Sequence, residues 1–177
     1  MGLIPNLEDL DPLTPDQQRV ADFFRSKLGD GAVLRERSFR RQLSVWIPRD
    51  QILEALRLAR EAAELDCDLL ADLCGVDLLG NQAEGEPRFE IVYNLYSLRH
   101  NRRFFLKTGV DDGQTVPTAS VVWPGANYME REVYDMLGVI FEGHPGLERI
   151  LTPDGWLGHP HRKDFPTMSD QFPNVEN

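Results

Sequence analysis

Apolar positions along this chain follow two rhythms. Behind Thr14-Pro15-Asp16-Gln17, Val20, Phe23, Phe24 and Leu28 fall on one helical stripe that Gly29 and Gly31 end. The start predicts Thr14 as N-cap, Pro15 at the first helical position and Gln17 closing a capping box. Residues 32–37 and 42–47 alternate as two short strands, the second stopped by Pro48. A helix follows through Leu65, with Ile52, Leu53, Leu56, Ala59 and Ala63 on one side. Residues 67–79 begin as a strand, although so short an apolar run also fits a helix. Residues 88–98 turn Phe89, Ile91, Tyr93 and Leu95 one way, and residues 102–110 return to make a hairpin. Helices punctuating an antiparallel-leaning set of strands predict an α+β fold: a two-layer domain with a mostly antiparallel sheet and packed helices.

The character changes after Val116. Asn127-Tyr128-Met129-Glu130 reads as a helix start, with Asn127 as N-cap, Glu130 at N3 and Gly138 as the left-handed stop. Met129, Val133, Met136 and Leu137 form the docking side; Glu130, Arg131, Glu132 and Asp135 form the other, with Arg131 one turn from Asp135. Residues 143–177 contain four glycines and five prolines, too many for helix or sheet. They also carry Leu147, Ile150, Leu151, Trp156, Leu157, Phe165 and Phe172, all of which require burial. The expected organisation is a loose lead-in over residues 1–13, the α+β domain over 14–142, and an extended Pro/Gly-rich C-terminal arm over 143–177 laid on a partner.

Composition narrows the function. The chain has 177 residues, 41% apolar, and a formal charge of −10. One ordinary core fits that length, and the charge argues against nucleic acid. Its longest charge-free stretch is interrupted by Pro117, Pro124 and Gly125, so no membrane span is expected. The first residues lack the basic and apolar regions of a secretion signal, and Asn6 stands where a myristoylation motif wants Ser or Thr. Cys67 and Cys74 are too few and too far apart for an iron–sulfur or zinc set and read as two buried thiols. No glycine-rich loop joins a strand to a helix, which removes nucleotide binding as a first choice. Arg99, Arg102, Arg103 and Lys107 make the hairpin tip and one edge basic, which reads equally as edge-strand protection or as a docking patch for an acidic partner. His144, His159 and His161 cluster beside Asp154 and Asp164 and define the competing reading, a stand-alone metal enzyme.

The run from Glu130-Arg131-Glu132 through Asp135 and Gly138, then His144-Pro145, Arg149-Ile150-Leu151, Gly158-His159-Pro160 and Arg162-Lys163-Asp164-Phe165-Pro166, resembles the C-subunit family of proton-pumping NADH:quinone oxidoreductase, respiratory complex I. Two positions depart from the family pattern: Glu148, commonly basic, and His161, usually apolar and costly to bury without a partner. The resemblance implies a structural and assembly subunit of the peripheral arm, non-catalytic alone and without cofactors. FMN and Fe–S clusters would lie in other subunits of a translocase that takes electrons from NADH to quinone. The implied partners are chiefly the quinone-site D subunit, also the B and I subunits, on the cytoplasmic side of the bacterial plasma membrane, with membrane contact only indirect. An equivalent subunit of a membrane-bound hydrogenase or ferredoxin-dependent complex is the near alternative. Arg131, Arg162 and Lys163 would pair with carboxylates in the chain or across an interface, and Arg162 is the candidate for a bidentate cross-subunit contact. Pro160 and Pro166 would hold an extended stretch in which Arg162 and Asp164 point one way, Lys163 and Phe165 the other.

Overall fold

Helix α1 (Pro15–Leu28) starts as its local chemistry dictates: Thr14 Oγ1 accepts the Gln17 N–H at 3.2 Å, and Gln17 Oε1 accepts the Thr14 N–H at 2.9 Å. The computed structural model describes residues 10–166. Strands β1 (Arg35–Phe39) and β2 (Gln42–Trp46) form a hairpin, and α2 (Ile52–Glu61) is shorter than its apolar stripe. Ala62 is already extended, and the turn beyond it delivers the Cys67 N–H to the Ala59 carbonyl at 2.9 Å. Residues 67–79 resolve as strand β3 (Leu69–Asp77), followed by β4 (Phe89–Ser97) and β5 (Arg102–Val110).

The five strands lie in the order β1-β2-β5-β4-β3, antiparallel except for the parallel β2–β5 pair. Strand β5 is therefore central, and edge protection drops out as the reason for its basic residues. A second pair, β6 (Thr115–Pro117) and β7 (Ile140–Glu142), is parallel and brackets helix α3 (Ala126–Leu137).

Alternation decides which face is covered. Phe89, Ile91, Tyr93 and Leu95 are buried with Leu43, Val45, Phe104 and Leu106, beneath Val20, Phe24 and Leu56 of the helices. Each such side chain contributes roughly 1.5–3 kcal/mol of transfer free energy. Helix α3 approaches β3 at Gly75, where an added Cβ would stand 2.5 Å from Leu137 Cδ1 and 2.9 Å from Val133 Cγ1. A glycine is required there to admit the helix. Cys67 is buried, whereas Cys74 points from the opposite face and is exposed, against the reading of two buried thiols.

Candidate functional site

The charged motif collects around α3. The helix begins two residues earlier than expected, with Gly125 as N-cap and no side-chain cap. Glu130 does not reach back to Asn127. It is fully buried, and its carboxylate accepts from Thr118 Oγ1 at 2.5 Å and the Ala119 N–H at 2.6 Å. Burial pushes Glu130 up to about 7, against the partial opposition of those two donors. His144, its side chain also fully covered, stands 3.9 Å away; it accepts the Gly146 N–H on Nδ1 and donates from Nε2 to the Asn127 carbonyl.

Asp135, expected on the polar side, is buried too and does not pair with Arg131. It gathers the N–H groups of Ile150, Leu151 and Thr152 at 3.0, 2.8 and 2.9 Å, the Thr152 hydroxyl at 2.5 Å and Arg149 Nη1 at 2.7 Å. Burial alone would raise this carboxyl; the donors outweigh it and hold Asp135 well below the usual range. Arg131 instead donates to the carbonyls of Glu148 and Arg149 at 3.1 and 3.2 Å. The residue at 148 thus contributes its backbone to that contact. Glu132 is exposed and unpaired among the described residues.

Gly138 closes α3 in the left-handed conformation, φ 79°, and a Cβ there would meet His159 Nε2 at 2.5 Å and Arg162 Nη2 at 2.8 Å. Above it His159 Nδ1 donates to the Asp135 carbonyl at 2.9 Å, and Arg149 Nη2 donates to the Gly158 carbonyl at 3.0 Å. Arg162 reaches the Leu137 carbonyl through Nε at 2.7 Å and forks onto Asp112 with both nitrogens at 2.8 Å. Its bidentate carboxylate is therefore within the chain. The Lys163 N–H donates to Asp77, and Asp164 accepts from Arg88, which also forks onto Asp77. Phe165 stacks on Trp156 at 6.5 Å. Residues 159–165 run through turns, with the Arg162 N–H on the His159 carbonyl and the Phe165 N–H on the Arg162 carbonyl, so the predicted alternation is absent. His161 is exposed and needs no buried partner. Pro145 and Pro166 are exposed and Pro160 is half-buried.

Residues 143–166 are thus tied to their own domain, and Phe172 lies outside the described residues. Left open to solvent are Leu151 at 60% and Leu157 at 71% exposure, with Tyr128 on α3 at 65%. Among the described residues no three His, Cys, Asp or Glu side chains group so as to hold a metal, the three C-terminal histidines included. No helix of the described residues is long and apolar enough to cross a membrane. Thr152, next to Arg149-Ile150-Leu151 in the motif, joins the cluster, and Thr118, Asp77, Arg88 and Asp112 complete it from other parts of the chain, where nothing in their sequence spacing marks them.

Residues 45–171 match the family model described as respiratory-chain NADH dehydrogenase, 30 Kd subunit. The NADH-quinone oxidoreductase C subunit of Roseiflexus sp. (strain RS-1) is 46% identical over 157 residues, covering 88% of this chain and 87% of the relative. Its counterpart in Herpetosiphon aurantiacus is 40% identical, covering 95% and 92%. Among solved structures, a trypsin-resistant fragment of Nqo5 superposes with a TM-score of 0.59 at 33% identity, over 75% of this chain and 99% of that one. A chain of the archaeal membrane-bound sulfane sulfur reductase gives a TM-score of 0.68 at 26% identity, over 85% and 86%. With the family model spanning well over half its length, the chain belongs to the 30 kDa subunit family of respiratory NADH dehydrogenase, the C subunits of NADH-quinone oxidoreductase.

Proposed function

We propose that this chain is a structural subunit of the peripheral arm of NADH:quinone oxidoreductase that holds the quinone-site D subunit, and with it the B and I subunits, in register. Electrons pass through FMN and Fe–S clusters carried by other subunits, and this chain performs no chemistry of its own. Family membership carries the reading, and the geometry supports it. Much of the ionic motif is spent on internal ties: Glu130, Asp135, Arg149 and Arg162 each have partners within the chain, while Glu132 and the Lys163 ammonium stay exposed. The docked segment itself offers a neighbour an apolar crest, Leu151 and Leu157. Apolar side chains that a chain cannot bury itself are those a permanent partner covers. The membrane is reached only through partners, on the cytoplasmic face.

Leu157→Asp in the assembled enzyme tests this. The variant chain folds, and its recovery with the quinone-site partner from solubilised membranes falls at least about tenfold; undiminished recovery would remove the reading. A ferredoxin-linked or hydrogenase-type parent is the second reading, supported by the likeness to the sulfane sulfur reductase chain. The same purification separates them, since a flavin-bearing NADH module accompanies the first and a nickel–iron subunit the hydrogenase form of the second.

A further inference from the structure

The face of the main sheet turned away from the helices is covered, among the described residues, only at one end, where Pro87 stands over Gly109 and Glu86 reaches Arg35. Register assigns its rows. Arg35, Trp46, Lys107, Val92 and Cys74 lie side by side across the five strands; Arg37, Ser44, Phe105, Asn94 and Asp72 form the next row; Phe39, Gln42, Arg103, Tyr96 and Leu69 the third. An open antiparallel face ordinarily alternates to polar side chains. Here Trp46, Phe105, Val92, Tyr96 and Phe39 set aromatic and apolar side chains among the polar and charged ones. A shallow groove of about 210 Å³ opens at its centre between Phe39, Gln42, Ser44, Val92, Phe105 and Lys107.

Charge on this face opposes that of the molecule. The whole chain carries −10, yet the β1–β2–β5 half presents Arg35, Arg37, Arg103 and Lys107. Lys107 is engaged by Glu90 at 2.8 Å and Arg35 by Glu86 at 3.1 Å. Arg37 and Arg103 have no carboxylate partner among the described residues; Arg103 lies over the Tyr96 ring at 5.6 Å. Arginine set among aromatic side chains is the composition of a protein interface core, and two guanidinium groups without a carboxylate, beside an apolar groove, fit carboxylates flanking an apolar side chain. We infer that this open sheet face docks an acidic segment of a sister subunit, with one apolar residue seated on Phe105 between carboxylates paired to Arg37 and Arg103. The site is separate from the C-terminal crest, and of the proposed function it uses only membership of an assembly.

A photo-crosslinking amino acid in place of Ser44, in the purified assembled complex, reads the occupant directly. The expected product joins Ser44's position to an acidic peptide of another subunit. Its yield falls at least about tenfold with Arg37→Glu/Arg103→Glu and survives Arg37→Lys/Arg103→Lys. A crosslink to lipid, to a second copy of this chain or to a neutral or basic peptide overturns the inference, as does a chain that co-purifies with its complex yet gives no crosslink. Failure to co-purify at all would instead strike the assembly reading.

Discussion

Glu130 and Asp135 lie nearly one and a half turns apart on α3, both without solvent exposure, and burial acts on them with opposite net results. Glu130 has two donors and rises to about 7 from an ordinary 4.5; Asp135 has five and falls. The groups facing Glu130 are Thr118, Ala119, His144 and the buried Tyr93 hydroxyl, whose ionisation is disfavoured first by burial and then by the Glu130 charge. Between pH 4.5 and 7 the folded chain keeps a proton that the unfolded chain has released. Stability from this group is therefore full below 4.5 and declines as pH rises to about 7, by roughly 3 kcal/mol. Glu130→Gln should flatten that decline in urea unfolding followed between pH 5.5 and 8. For Asp135 the sign reverses: its depressed carboxyl stabilises the fold above the ordinary range near 3.8 and loses that contribution only in stronger acid.

Helix α3 is seated by an absence of side chain. Gly75→Ala places a methyl against Leu137 and Val133 and is expected to cost about 1–3 kcal/mol in denaturant unfolding. An unchanged midpoint would mean that the helix slides at no cost. Elements whose determinants are local are legible in the sequence. The α1 capping box, the β4–β5 hairpin and the Gly138 stop each lie within a few residues of their partners. The role of Glu130 is hidden because its donors come from Thr118 and Ala119, twelve and eleven residues back on a loop, while the Asn127-to-Glu130 spacing mimics a cap. The basic hairpin reads as a possible edge because alternation reports faces and not neighbours. Only the parallel pairing of Leu43 through Trp46 with Phe104 through Lys107 puts β5 in the middle.

Across the whole molecule the C-terminal segment is clamped at two ends of one helix and one strand, by Asp135 on α3 and by Asp77 with Arg88 at the β3–β4 end. Asp135→Asn removes the charge that three backbone N–H groups and Arg149 share. The expected loss is about 3 kcal/mol, seen as faster limited proteolysis within residues 146–160 while the sheet remains protected. The central place of β5 has a consequence for biosynthesis. Leu43 and Val45 leave the ribosome long before Phe104 and Leu106, the strand they must lie beside, has been translated. The β3–β4–β5 meander can close on itself, but the first hairpin must wait without its sheet neighbour. A nascent chain stalled ahead of residue 102 is accordingly expected to hold its first hairpin unpaired to the rest of the sheet, and the last strand of the meander is the one that commits the N-terminal half to its place.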